Sequence, residues 1–194
     1  MLGHPRPSGF TLIELLIVVS LLALVAGMII PHANPSFRDQ LEGDAEILAG
    51  DVAFARSLAV SNDSNYRISF DITRNQFALT HQGTNPALDT LPRSPYALPS
   101  DPADQHIVRL ASLPHLGGTA RLHAVRALGS SPQAVSDVEF GPLGETTRPE
   151  ETQIWLATGT GSATRYISVR INPVTGLTWI ENFQATDPTG GGGS

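Results

Sequence analysis

The chain has 194 residues, with 18 acidic residues against 12 basic ones, and its formal net charge is −6. All 12 basic residues are arginines, and an acidic chain of this kind is a poor general binder of nucleic acid. Cysteine is absent, which excludes disulfides and cysteine metal sites, so packing must stabilise the fold.

An apolar run of 21 residues extends from Phe10 to Ile30 and stops at Pro31. A helix of that length rises about 31 Å, close to the hydrocarbon thickness of a bilayer. Glu14 is the only charged residue in the run, and a carboxylate there costs about 2.5–3.5 kcal/mol on membrane-insertion scales. The run therefore predicts a membrane-spanning helix in which Glu14 has a function and a partner.

The run contains no lysine or arginine that could pair with Glu14. A cation four residues before Glu14 arises if the chain is cut between Gly9 and Phe10, because Phe10 then has a free α-amino group. Glycine suits a cut site, since without a Cβ it lets a protease approach the backbone closely. Two simpler alternatives are a secretory signal peptide, which the length of the run disfavours, and a plain membrane anchor, which leaves Gly9 and Phe10 unexplained.

Residues 9–14 read Gly-Phe-Thr-Leu-Ile-Glu, and with the apolar run they resemble the class III signal of type IV prepilins and type II secretion pseudopilins. The resemblance implies that a prepilin peptidase cuts after Gly9 and methylates the new amine of Phe10. It also implies that Glu14 neutralises the N-terminus of a neighbouring subunit during assembly, and that Pro31 bends the helix. Residues 1–9 would then be a leader on the cytoplasmic side of a bacterial inner membrane, with a single span over 10–30 and the following domain in the periplasm.

Beyond Pro31 apolar residues recur at the spacing of a helix. They are Phe37, Leu41, Ala45, Leu48, Val52, Ala55 and Ala59, with Phe54 and Leu58 beside them. Ser36 is a candidate N-cap of this helix. We predict an amphipathic helix within residues 31–62, which the resemblance interprets as the continuation of the membrane helix, with its apolar stripe packed on a sheet.

From Tyr66 onward the period of the apolar residues changes to two, as in half-buried β-strands. The predicted strands cover residues 66–72, 77–80, 107–113, 120–128, 135–140, 153–157, 166–171 and 177–180. The first two and the last two are predicted to form hairpins, the second through the turn at residues 172–176. The fold class is therefore α+β: a long N-terminal helix, membrane-spanning in its first half, packed on antiparallel sheets in a β-domain over residues 63–188.

Two segments do not fit this pattern of helix and strands. Residues 83–105 contain five prolines among polar residues, so they are either a functional loop or a disordered insertion, and their composition favours disorder. Residues 189–194 are Gly-rich and predict a flexible tail outside the fold.

Further resemblance lies in residues 51–60, 140–144 and 167–176, which are similar to the GspH/FimT branch of minor pseudopilins. Major pseudopilins usually have a C-terminal calcium loop, and the absence of a matching acid-rich spacing here favours the minor branch. The resemblance implies a structural subunit of the periplasmic pseudopilus of a type II secretion system, which is not an enzyme and needs no cofactor or metal. The implied partners are other major and minor pseudopilins, the prepilin peptidase, the inner-membrane secretion platform and the lipid bilayer.

A search for other chemistry finds no nucleophile elbow, zinc-protease motif, phosphate loop or dinucleotide fingerprint. The pairs His81 with His106 and His115 with His123 could meet in space, but neither pair has metal-ligand spacing. Residues 159–162 resemble a phosphate loop only in being Gly-rich, and they predict a turn.

The alternative function is that of a minor pilin of a type IV pilus or competence filament that binds DNA. Its candidate phosphate contacts are Arg121, Arg126, Arg165 and Arg170. Loss of Arg6 with the leader would leave 11 arginines against 18 acids, a net charge of −7, which argues against nucleic acid as a partner.

Overall fold

The computed structural model of the protein describes residues 10–29, 37–113 and 120–189, with side chains in the first range described as far as Val25. The chain divides into two units, residues 1–35 and 36–194. The first unit contains helix α1 (Leu12–Ile29). The described part of the second contains helix α2 (Phe37–Ser61) and strands β1 (Tyr66–Asp71), β2 (Gln76–His81), β3 (His106–Arg109), β4 (Arg121–Leu128), β5 (Gln133–Ala134), β6 (Asp137–Phe140), β7 (Glu151–Thr158), β8 (Arg165–Ile171) and β9 (Thr178–Ile180).

The described strands form two antiparallel sheets. The first has the order β3-β2-β1-β6 and the second the order β5-β4-β7-β8-β9. Both predicted hairpins are confirmed, as β1 with β2 and as β8 with β9. Helix α2 contacts β1 and β6 of the first sheet and β7, β8 and β9 of the second. The predicted α+β class, with a helix packed on antiparallel sheets, is confirmed in this unit.

The apolar stripe of α2 forms the centre of the core, with one exception. The buried apolar residues of the helix are Leu41, Ala45, Leu48, Val52, Ala55 and Ala59. Phe37 was predicted to belong to the stripe, but its side chain is 47% exposed. Two polar residues, Gln40 and Asp44, are buried with the stripe instead. The apolar pattern therefore starts one turn later than predicted, and Ser36, the predicted N-cap, lies outside the described residues.

The first hairpin turns one residue earlier than predicted. Ile72 was assigned to the strand, but β1 ends at Asp71, and the Ile72 side chain is 47% exposed in the turn. Asp71 Oδ1 accepts a hydrogen bond from the Arg74 backbone N–H at 2.9 Å, which closes the turn. Asn75 then adopts φ +52°, a region that asparagine tolerates better than a branched side chain such as Ile72.

Two other strands are shorter than predicted, because the chain passes from one sheet to the other at their ends. Residues 107–113 were predicted as one strand, but β3 ends at Arg109 and a 3₁₀ turn follows over Leu110–Ser112. Residues 135–140 were also predicted as one strand, but β6 covers only Asp137–Phe140 and belongs to the first sheet. The preceding β5 lies at the edge of the second sheet. A period of two cannot reveal such a change of sheet, because both sheets impose the same alternation.

The Pro-rich segment at 83–105 has a defined path along the first sheet. Leu91 is buried, and its backbone N–H donates to the Ala103 carbonyl at 3.0 Å. Two hydrogen bonds from the Arg109 guanidinium, of 2.9 and 2.6 Å, hold Asp101. They are the main reason why the pKa of Asp101 falls to about 2. The interpretation as a disordered insertion is therefore not supported, since side chains within the segment bury and pair as a folded loop does.

His106 connects this loop to α2. Its Nδ1 lies 2.8 Å from the Pro92 carbonyl oxygen and therefore donates to it. Its buried Nε2 has no hydrogen-bond partner within the described residues and lies 3.6 Å from Asp51 Oδ1. The ring also packs on Phe54, with 5.6 Å between centroids. The interaction with the Asp51 carboxylate raises the pKa of His106, against the opposing effect of burial.

We expect the free energy of unfolding to fall as the pH rises from about 6 to 8, in part through His106. Because folding raises the pKa of His106, its stabilisation is complete below the unfolded pKa, about 6.5, and is lost as the pH rises through the folded pKa. The measurement is urea unfolding across this range, followed by the fluorescence of buried Trp155. His106→Gln should flatten the pH dependence, while His123→Gln serves as the matched control. An unchanged pH dependence in His106→Gln would contradict the assignment.

The end of the domain extends one residue into the predicted tail. Arg126 Nη2 donates to the Thr189 carbonyl at 2.7 Å, and Asp187 Oδ1 accepts from the Thr189 hydroxyl at 2.6 Å. The Thr189 hydroxyl and N–H are the main reasons why the pKa of Asp187 falls to about 2. Thr189 is thus bound to β4, and the rest of the predicted tail lies outside the described residues.

Candidate assembly site

Helix α1 begins at Leu12 because Thr11 acts as its N-cap. Thr11 Oγ1 accepts a hydrogen bond of 3.3 Å from the Glu14 backbone N–H, and the Thr11 carbonyl accepts from Leu15 N–H at 3.2 Å. Threonine at the N-cap with glutamate three residues later is the capping-box pattern. The sequence analysis assigned Glu14 to assembly alone and missed this pattern, although the Thr-x-x-Glu spacing is readable in the sequence.

Apolar side chains surround α1 on every face. Its large apolar side chains between Leu12 and Val25 are 48% to 84% exposed within the structure. A helix that is apolar all round belongs in the core of a larger assembly or in a membrane. The polar Ser20 side chain forms its hydrogen bond within the helix, because its hydroxyl donates to the Leu16 carbonyl at 2.8 Å. The helix therefore presents apolar surface in all directions for contact with lipid or with other helices.

Glu14 is the one charge on this surface, and it lies in the first turn of α1. A carboxylate there gains about 0.3–1 kcal/mol from the helix dipole. That gain is smaller than the cost of about 2.5–3.5 kcal/mol for placing the charge in hydrocarbon. The sequence has no arginine or lysine between Arg6 and Arg38. A cation that offsets the cost must therefore come from an N-terminal amine or from another molecule.

The other predicted residues of this site lie at the start of the described residues or outside them. Phe10 is described and 82% exposed, one turn before Glu14. Gly9 and Pro31 lie outside the described residues, so the predicted cut and bend are untested. The described helix has 18 residues where the sequence predicted a span of 21 over 10–30, because Thr11 caps it and Ile30 is not described.

A search of the described residues found no helix that is both long enough and apolar enough to cross a bilayer.

Comparison with protein families identified one match, to the prokaryotic N-terminal methylation motif, over residues 5–30. The matched range includes Gly9, Phe10, Thr11 and Glu14, and it covers nearly all of α1. The chain has a type IV prepilin-like amino terminus. This is the resemblance that residues 9–14 indicated. The match covers a small part of the chain and leaves the β-domain unassigned.

Two solved structures share some of the arrangement of the chain. Both are crystal structures of the type IV minor pilin FimU of Pseudomonas aeruginosa, strain PAO1, in space groups P21 and P65. The first is 19% identical, with a TM-score of 0.41, and the match covers 75% of this chain and 90% of FimU. The second is 20% identical, with a TM-score of 0.39, and covers 73% and 93%. Both TM-scores are below 0.5, so this likeness carries no argument about function. A comparison with curated protein sequences found no match.

The four arginines of the DNA-binding alternative are engaged with the protein itself. Arg170 pairs with Glu151 and with Glu181, at 3.0 Å for the latter, and its guanidinium lies 5.5 Å from the centre of the Trp179 ring. Arg121 donates to the Gly159 carbonyl at 2.8 Å, and Arg165 to the Ser162 carbonyl at 3.1 Å. Arg126 binds the Thr189 carbonyl, as described above. A phosphate would have to compete with each of these partners.

His81 and His106 are held by separate partners and do not form the pair considered from the sequence. His81 binds Ser64 and Asp89, whereas His106 lies between Pro92 and Asp51. His115 lies outside the described residues. Within the described ranges, no three His, Asp or Glu side chains converge as a metal site requires. Residues 159–162 form a turn, as predicted, with a 3₁₀ turn starting at Gly161.

Proposed function

We propose that the chain is a minor pseudopilin, a structural subunit that assembles into the periplasmic pseudopilus of a type II secretion system. The observation that supports this proposal best is the methylation motif over residues 5–30, which coincides with a helix that is apolar on every face and has one carboxylate in its first turn. Such a helix needs an apolar assembly around it. The β-domain would face outward in the periplasm, and the inner membrane would hold the chain before assembly.

The proposed role of Glu14 is electrostatic. After cleavage behind Gly9, the Phe10 amine of one subunit would be paired with the Glu14 carboxylate of a neighbour in an apolar environment. An unpaired charge is heavily penalised there, so subunits whose charges meet are favoured over other arrangements. Assembly of this kind requires no catalytic step and no cofactor from the chain. Its partners would be other pseudopilins, the prepilin peptidase, the inner-membrane secretion platform and the bilayer.

A minor pilin of a type IV pilus would use the same N-terminal chemistry, so the two functions differ in their partners. Cross-linking in membranes of the native host separates them. Cross-links to pseudopilins of the secretion system support the proposal, whereas cross-links only to pilus subunits would overturn it.

The mature protein should begin at Phe10 with one added methyl group on its amine. The reason is that Gly9 and Phe10 lie within the matched methylation motif and resemble the site that a prepilin peptidase cuts. Intact-mass measurement of the protein from its native host tests this. Gly9→Val should retain residues 1–9, because a branched side chain blocks close approach to the backbone, while Gly3→Val should be processed normally. Recovery of an unprocessed wild-type chain from a host with active prepilin peptidase would contradict the prediction.

A further inference from the structure

A chain of two hydrogen bonds joins Ser64, His81 and Asp89 beside the first sheet. Ser64 Oγ lies 2.7 Å from His81 Nε2, and His81 Nδ1 lies 2.7 Å from Asp89 Oδ1. Ser64 follows the end of α2, His81 is the last residue of β2, and Asp89 follows a short 3₁₀ turn over Pro86–Leu88. Three separate elements thus place a serine, a histidine and a carboxylate in one line.

The hydrogen-bond partners of His81 determine which ring nitrogen carries the proton. An ionised carboxylate can only accept hydrogen bonds, so the His81 proton lies on Nδ1 and points to Asp89. In the neutral ring the other nitrogen, Nε2, is an acceptor, and the Ser64 hydroxyl then donates to it. The His81 side chain is fully buried, and its ring packs on Tyr66 with 5.0 Å between centroids. The histidine is thus held in the orientation and tautomer of a general base for Ser64.

The backbone of the next loop passes directly over the Ser64–His81 hydrogen bond. A Cβ at Gly83 would lie 2.0 Å from Ser64 Oγ and 2.6 Å from His81 Nε2, so a side chain at this position would displace the serine hydroxyl or the histidine ring. A surface cavity of about 430 Å³ adjoins the group. It is lined by Thr80, His81, Gln82, Gly83, Asp89 and Asp104, so two of the three side chains of the group, His81 and Asp89, line it, whereas Ser64 does not. Its size suits a small molecule, and its lining of hydroxyl, amide and carboxylate groups suits a polar ligand without negative charge.

We propose that Ser64 is a nucleophile that accepts acyl groups from small, polar, uncharged carboxylic esters. Ser64 Oγ attacks the ester carbonyl carbon while its proton moves to His81 Nε2. The carbonyl re-forms, the bond from carbon to the leaving alcohol breaks, and His81 returns the proton to that alcohol. Water then releases the acid by the same steps, with His81 again as base and acid. Asp89 does not touch the substrate and is a positioning residue that fixes the tautomer and orientation of His81.

The first test uses the purified full-length protein in detergent and a fluorophosphonate probe, which forms a covalent bond only with activated serines. Peptide mass analysis should find the probe on Ser64. Ser57, an exposed serine near the end of α2, should remain free of probe. This experiment needs no variant, so a folding defect cannot obscure it. Absence of the probe from Ser64 would overturn the proposal.

The second test measures hydrolysis of 4-nitrophenyl acetate by the same preparation. Ser64→Ala should lower the rate about 100-fold, within the range that a positioned base contributes, and Ser57→Ala should leave it unchanged. Asp89→Asn should lower the rate and change its pH profile, because an amide can stabilise the wrong tautomer of His81. A merely structural hydrogen bond would leave both rate and pH profile unaltered. Equal rates for the wild-type protein and Ser64→Ala would overturn the proposal.

Discussion

Under the proposed function, replacing Glu14 by alanine should abolish most co-assembly of the chain with pseudopilins. The change removes the carboxylate that would offset the buried amine of a neighbour, and breaking a buried ion pair from one side costs about 3–5 kcal/mol. Since each 1.4 kcal/mol is a factor of about ten, association should weaken by about two to three and a half orders of magnitude. Membrane insertion should be unchanged or easier, because the variant removes a charge from an apolar helix. The measurement is cross-linking to other pseudopilins in membranes of the native host, with secretion measured in parallel.

The capping-box pattern suggests a second role for Glu14, and a further variant separates it from the first. Glutamine also serves at the third position of a capping box, so Glu14→Gln retains the cap but loses the charge. Loss of cross-linking in both variants supports the electrostatic role, whereas loss in the alanine variant alone assigns Glu14 to helix capping. Glu46→Ala, which removes an exposed acid from α2, is the matched control. Unchanged cross-linking and secretion in Glu14→Ala would mean that the assembly role is wrong.

Leu48→Ala should destabilise the β-domain by about 2–5 kcal/mol, a large part of the 5–15 kcal/mol that is usual for a domain. The Leu48 side chain is fully buried in a helix that contacts both sheets, so truncation leaves a cavity where the two layers meet. Chemical unfolding of the full-length protein, followed by the fluorescence of Trp155, measures the change. The midpoint should fall while the slope of the transition stays the same.

Val60→Ala is the matched control for this change, because it also shortens an apolar side chain of α2. The Val60 side chain is 48% exposed, and a substitution at such a position should stay within about 0.5 kcal/mol. Equal effects of the two substitutions would contradict the assignment of Leu48 to the centre of the core.

The helix and hairpins were predictable because their signals are local. The stripe of α2 from Leu41 to Ala59 follows from apolar residues three and four apart, which lie on one face of any helix. The turn at Asn172 follows likewise from residue types: its side-chain Oδ1 accepts hydrogen bonds from Val174 and Thr175, and Gly176 adopts φ +64°. Phe37 was assigned wrongly because the period shows which face of a helix is apolar and does not show how far along the helix the core extends.

The assignment of strands to sheets was not predictable from the sequence. Residues 133–140 supply β5 to one sheet and β6 to the other, with only Val135 and Ser136 between the two strands. Contacts between residues far apart in the sequence decide which sheet a strand joins. In one of them, Asn75 Oδ1 accepts a hydrogen bond of 2.8 Å from the Leu122 backbone N–H, which joins the first hairpin to β4. The path of the Pro-rich segment also depends on partners outside it, chiefly Arg109 and His106.

By itself, the sequence determined the prepilin-like amino terminus, since the methylation motif, a single carboxylate and an apolar run are properties of consecutive residues. It also determined the class of the fold, because the period of the apolar residues changes from helix to strand between Ser61 and Tyr66. Only the tertiary structure decided which strands share a sheet and that Ser64, His81 and Asp89 meet. Those three residues span 25 positions in two loops and a strand, and each side chain acquires its partner only when α2 and the first sheet are packed together. Spacing along the chain cannot encode such a meeting, because it depends on where the hairpin and loop lie in three dimensions.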